Sequence, residues 1–542
     1  MMSFVDALTI TLYLTISGKA YTVPGGNVKT LELDLRTYGF SGTLSFVVST
    51  EHSTDSLLSS FTQNDLIEVS LEVAAFQQPS DAKSNPLKLN GLVTKKGFSE
   101  KTLTNVLPTQ ELMLYRHYHL SFADPAQVLW KQHYPCDLLT DTTLKALITA
   151  HTNEKITLEY DWDTLTTEYS MLALSLGATG KHASFYDYLI WLVDSQNGVF
   201  TYDLANNQYS LKASKSQSGT TQSLNPFEVA NYGIEFPEIG RFEPNVLNAY
   251  SENPQTTTIT NEQKASPIRR DYIARYPIAS QMESRVTLET ARFKQRMHEV
   301  WMEYQQFPLF VTPPGQLVDF NGSGWSSSIY VSGYSYRVRE WRLIARSAEE
   351  NLILDYNMPY SRYVMEHSMR LEKSDESWVD LPAYTIPLYP FFVEGKIVSN
   401  QGEDTDATYE VSEDEDTSSN YYTISIPLWD DKNVRADYQP NLLTGQFYFP
   451  PYKNARVLVG LDFDSAHIVR FLDWGSGTAL PMDSQGNQLV MGKSTTNQTI
   501  FKHSYVDEKP QLLIQRTLDS DTQLLQFSDG TILLQTQQEE ES

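Results

Sequence analysis

The sequence contains one cysteine, Cys136, among 542 residues. That excludes an intrachain disulfide framework, and the residue is expected to serve as a small buried hydrophobe. No run of eighteen apolar residues occurs, so no transmembrane helix is expected. Positive charge is scarce: 41 Lys and Arg stand against 67 Asp and Glu, a formal net charge of −26. Clustered cations that would contact phosphates are missing, so no nucleic acid is expected as a partner. Catalytic signatures are missing too. GxSxG, HExxH, GxxxxGK[ST] and GxGxxG are all absent, and the ten histidines are scattered. His117 and His119 share one face of a strand without a third ligand nearby, Asp161 and Asp163 are two acids among 67, and no catalytic, metal or cofactor-binding residue is assigned.

What the sequence has in abundance is strand pattern. Leu8, Ile10, Leu12, Leu14 and Ile16 alternate with Thr9, Thr11, Tyr13 and Thr15, which reads as a half-buried strand rather than an export signal. Leu31, Leu33 and Leu35, then Ile67, Val69, Leu71 and Val73, continue the alternation, with turns at Gly25-Gly26-Asn27, Gly39 and Gly42. Residues 1–115 therefore read as a first β-barrel. An α/β domain is expected over 116–225. Its helices begin after the N-cap Asp124 with Pro125 at the first position, span Thr142 to Ala150, and run from Ser184 to Asn197-Gly198. Strands follow at Val199 to Tyr202 and Tyr209 to Leu211.

A second β-barrel is expected over 226–380. Within it Met282, Val286, Phe293, Met297, Trp301 and Tyr304 recur at helical spacing opposite Arg285, Arg292 and Arg296, which predicts one amphipathic helix over 281–306. Stretches around Phe310, Ile329 to Tyr336, Trp341 to Ala345 and Leu352 to Tyr356 would close this barrel. Pro382, Pro387 and Pro390 mark a boundary, and a small barrel is expected over 381–480. The acidic run Glu403 to Asp416 reads as a solvated loop, since it lacks the register of an EF-hand.

The last segment, 481–542, consists of short strands. Gln488 to Met491, Gln511 to Leu518, Gln523 to Phe527 and Thr531 to Thr536 are separated by Asp519-Ser520-Asp521 and Ser528-Asp529-Gly530. Strands this short bury too little apolar surface on one chain to offset about 1 to 2 kcal/mol per residue of backbone ordering. They need a core from elsewhere, either the rest of the chain or further copies of it.

Three stretches resemble the VgrG family and the phage central hub and spike proteins. Ala183 to Tyr202 looks like the family's helix and following aromatic strand. Tyr422 to Trp429, Phe447 to Tyr452 and Ala455 to Phe463 resemble strands of its OB-fold barrel. Ile468 to Trp474, continuing into Gly486 to Ser494, looks like the exit into the spike, as in the hub-spike proteins of extracellular contractile injection systems such as antifeeding prophages and Photorhabdus virulence cassettes. The resemblance implies a mainly β fold with an α/β insertion: two hub β-barrels, an OB-fold barrel and a short C-terminal trimeric β-helix spike.

The resemblance also implies a role. The chain would be a homotrimeric hub-spike of a phage-tail-like contractile injection system, joining a hexameric inner tube to a membrane-piercing needle and matching sixfold to threefold symmetry. It would be non-enzymatic, without a cofactor, since no lysozyme domain or effector extension is visible. Expected partners are two further copies of itself, the inner tube protein, baseplate proteins, effector cargo, a PAAR-like tip protein beyond Glu539-Glu540-Glu541-Ser542 and, transiently, a target membrane. It would assemble in the bacterial cytoplasm without a signal peptide and end in an extracellular particle. Leu512, Ile514, Leu525, Phe527, Ile532 and Leu534 are expected to form the shared spike core, with Phe471 and Trp474 at the junction between barrel and spike. Two other classes stay open. A polysaccharide-degrading tailspike would show clustered carboxylates on a long β-helix, and a receptor-binding tail fibre would carry repetitive central segments.

Overall fold

The computed structural model describes residues 2–50, 55–76, 86–103, 113–177, 182–215, 219–349, 351, 354–376, 379–403, 408–415, 419–437, 451–473, 487–494 and 496–538. The protein is mostly β, as its alternating patterns require, and it divides into two compact units. One comprises residues 1–134, 149–166 and 176–387; the other comprises 135–148, 167–175 and 388–542.

In the first unit eight strands hydrogen-bond in a closed ring: Phe4–Ile16, Ile67–Ala75, Leu87–Leu103, Met113–Ala123, Gly39–Ser49, Val28–Arg36, Ser335–Ser347 and Tyr360–Lys373. Leu8, Leu12, Leu31, Leu35, Val69 and Val73 point into its core, each 0 to 2% exposed, which is the inward half of the period-two pattern. The N-terminal strands do not close by themselves. The long hairpin 335–373 completes the ring, with Leu343 opposite Leu33 and Val5 opposite Val364.

That hairpin is shared. Its closing half pairs with the N-terminal strands, while its other half pairs with Leu317–Asp319 and Glu299–Tyr304, the latter joined to Val229–Glu235. Two strand groups are thus built on one pair of long strands. The close approach at one turn requires glycine: a Cβ on Gly26 would lie 1.9 Å from the carbonyl oxygen of Asp355.

Several expected elements form differently. The helix over 281–306 is a helix at Ala279–Arg292 followed by a strand at Glu299–Tyr304. Val300, Met302 and Tyr304 are buried at period two, and pairing with Tyr360–Lys373 overrides the helical spacing that Met297, Trp301 and Tyr304 also satisfy. Residues 354–357 are a turn rather than a strand, and the closing strand lies after them at Tyr360–Lys373. Cys136 is exposed, at the start of a strand, not buried.

The helix starts of the α/β region follow their caps. The Asp124 side chain accepts from the Gln127 amide at the start of Pro125–Leu129, and Ser184 with Asp187 forms a capping box on Phe185–Ser195. Asn197 at φ 58 and Gly198 end the latter helix. The stretch expected at Thr142 to Ala150 is a helix only over Leu144–Ala150, because Cys136–Thr143 is a strand. Arg296, expected on a solvated helix face, is instead buried. It pairs with Glu372 at 3.2 Å, Glu376 at 3.0 Å and Asp380 at 3.1 Å, while Lys215 closes on the other oxygen of Glu372.

In the second unit five strands close a small barrel: Phe391–Ile397, Asn420–Ile426, Lys432–Asp437, Ala466–Asp473 and Arg456–Leu461, in that ring order. In chain order this is 1-2-3-5-4, and the 3–5 pair is parallel. Tyr422, Ile424, Val434, Val457 and Val459 fill it, and Leu138, Met171 and Ala173 join the same core from the hairpin Cys136–Thr143 and Glu168–Ser175. The region read as one domain over 116–225 therefore contributes to both units. The Ala173 amide donates to the Phe463 carbonyl at 2.8 Å and the Tyr389 hydroxyl donates to the Ala173 carbonyl at 2.8 Å.

Candidate assembly site

The second unit ends in a five-stranded antiparallel meander: Asn487–Ser494, Asn497–Val506, Lys509–Leu518, Asp521–Ser528 and Thr531–Gln537. The strand at Asn497–Val506 was not expected from the sequence, its apolar pair Ile500-Phe501 being flanked by polar residues on both sides. The turns follow their residues. Asp507 and Glu508 both have positive φ, at 51° and 65°, as do Asp529 and Gly530 at 22° and 77°, which is the hand that two-residue hairpin loops need.

These tight turns fix the register, and the register assembles the six expected residues. Leu512, Phe527 and Ile532 lie opposite one another across three strands, and Ile514, Leu525 and Leu534 form the neighbouring row. Phe501 and Leu489 extend the second row across the remaining two strands. All eight share one face, because partners and i, i+2 neighbours point the same way. The opposite face carries Leu513, Leu524 and Leu533 between glutamines 515, 526 and 535.

No described residue from 487 to 538 whose side chain is placed is buried. Phe527 is 38%, Ile532 70% and Leu534 80% exposed. A single-layer sheet with apolar rows on its surface has no core of its own, and covering each such side chain is worth about 1.5–3 kcal/mol. Chemically this surface can associate through its apolar rows.

Phe471 lies in the last barrel strand opposite Val457, 39% exposed, and is not part of these rows. Trp474, Phe447 to Pro450, residues 404–407 and 416 of the acidic run and the terminal Glu539 to Ser542 lie outside the described residues. His117 and His119 do share a face, opposite Val47 and Ser45. Among the described residues no three His, Cys, Asp or Glu side chains come together as a metal site. A cavity of about 430 Å³ in the first unit is lined by Asp34, Arg36, Glu340 and Arg370, and its charges are taken up by pairs such as Arg36 with Asp34 at 2.6 Å.

No protein-family model and no curated protein matches the chain. Solved structures do. A chain of the lidless PdpA-VgrG complex superposes with a TM-score of 0.74 at 11% identity, covering 98% of this chain and 99% of that one. Chains of the half-lidded and lidded Francisella PdpA-VgrG complexes give 0.74 and 0.72 at 11% and 13% identity, with 98% of this chain and 88% and 80% of those chains covered. At this identity the likeness establishes the fold: the chain is VgrG-like over nearly its whole length.

Proposed function

We propose that the chain is the homotrimeric hub-spike of a phage-tail-like contractile injection system. The observation that carries this reading is the terminal meander, whose apolar rows cross its strands without any buried residue. Three copies would place these rows against one another and supply the missing core, with residues 481–542 winding into an intertwined β-helix. The VgrG-like fold supports the role, and the ring order 1-2-3-5-4 of the small barrel supports reading it as an OB-fold.

In this reading the two strand groups built on the shared 335–373 hairpin are the paired elements with which a threefold object meets a hexameric inner tube. The spike would concentrate the force of contraction on a small area of target membrane. Its action is mechanical and non-enzymatic, with baseplate proteins above and a PAAR-like tip below. The structural neighbours are complexes of VgrG with a second protein, PdpA, which supports a further protein partner, and effector cargo is the one proposed here. The particle would work outside the cytoplasm in which the chain is assembled.

Negative-stain imaging of the purified full chain tests this directly. A threefold ring with a needle is expected; isolated single-chain particles at every concentration would overturn it.

A further inference from the structure

The first unit carries a small three-stranded sheet, Gln255–Thr258, Glu243–Asn248 and Arg269–Ala274, in that order. Helix Ala279–Arg292 covers one face through Met282 and Val286, packed on Val246 and Ile259. The strand Arg269–Ala274 is an edge. It runs parallel to Glu243–Asn248, and the carbonyls of Ile268 and Ala274 accept from the amides of Glu243 and Ala249 at 2.9 and 2.7 Å. By the alternation of a strand, the amides and carbonyls of Arg269, Asp271 and Ile273 point the other way. Among the described residues no strand pairs with that side.

The side chains at this edge have a definite pattern. Arg269, Asp271, Ile273 and Arg275 share the face that the helix leaves open. Ile273 is 75% exposed, and Arg275 is exposed beside it. Arg270 faces the other way, its guanidinium 4.3 Å over the Phe242 ring. Arg269 Nε pairs with Asp271 at 3.1 Å, and three arginines against this one acid leave residues 269–275 net positive in a chain of net charge −26.

We propose that this edge receives an acidic, extended segment of a partner protein, added as a fourth strand. Free backbone groups would bind the segment's main chain, Ile273 would take an apolar side chain, and Arg269 and Arg275 would select carboxylates on either side of it. The occupant is set by charge complementarity, since the flanking cations repel basic segments as strongly as they attract acidic ones. The inference does not depend on the hub-spike reading.

The test uses the full chain and a fluorescent nine-residue peptide with Glu opposite Arg269 and Arg275 and Val opposite Ile273, read by anisotropy. Saturable binding is expected. It should weaken by about tenfold or more with the double variant Arg269→Glu, Arg275→Glu, and weaken as salt is raised. A peptide N-methylated at alternate residues should lose binding while the protein stays untouched. Absence of binding to the Glu peptide, equal binding by a peptide with Lys in place of Glu, or retained binding by the N-methylated peptide would each overturn the proposal. In the first case the arginines serve only to keep the edge from pairing.

Discussion

Phe527 and Ile532 face each other across the last hairpin of the chain, and both remain exposed, at 38% and 70%. Within one chain, cross-strand partners of this kind align without being covered. They form a row with Leu512 that gains its full hydrophobic stabilisation only when another layer closes over it.

Replacing Leu534 with Asp puts a charge into the proposed shared core while leaving the backbone hydrogen bonds of an edge strand intact. We expect the trimer to dissociate at concentrations where the original chain is fully assembled, a loss of about 2 kcal/mol or more per copy. Sedimentation velocity over a concentration series checks this. Unchanged association would place Leu534 outside the core.

Arg296 is held by Glu372, Glu376 and Asp380. Lys215 still reaches Glu372 and Arg339 still reaches Asp380 at 2.8 Å, so Arg296→Ala strips the cation from the buried Glu376, and we expect a loss of about 3 kcal/mol in urea unfolding of the first unit. Desolvation already holds the Glu376 carboxyl above its ordinary range, so that group is expected to take up a proton in the variant at a higher pH than before.

His367 is fully buried beside Tyr304 and Trp341, and burial lowers its pKa to about 4 although Nδ1 bonds the Arg342 carbonyl at 2.9 Å. The unfolded chain therefore binds the proton more readily. Stability from this group is complete above about pH 6.5 and is lost as pH falls toward 4, amounting to roughly 3 kcal/mol. Comparing unfolding midpoints of the original and His367→Phe chains between these pH values should give a smaller pH dependence in the variant. An identical slope would mean that His367 does not titrate differently in the two states.

Much of this architecture was legible in the residues, and the failures share a cause. Strands with strict alternation, such as Phe4–Ile16 and Val28–Arg36, and helices with strong caps at Asp124 and Ser184 announce themselves locally. The closing hairpin 335–373 does not, because it joins strands more than three hundred positions apart, as in the pairing of Leu33 with Leu343. Residues 299–304 satisfied both periods, and only the partner strand decided between them. The alignment of Leu512, Ile514, Leu525, Phe527, Ile532 and Leu534 in rows has a different, local cause: tight turns set the register of these strands without help from distant contacts.

The central claim is that the terminal rows are covered by two further copies of the chain, and solution mass tests it most directly. Size-exclusion chromatography with light scattering of the full chain should give a mass near three times 61.7 kDa, and deletion of the residues after 486 should weaken that assembly. A stable single-chain mass from a preparation that retains an intact C-terminus would contradict the account.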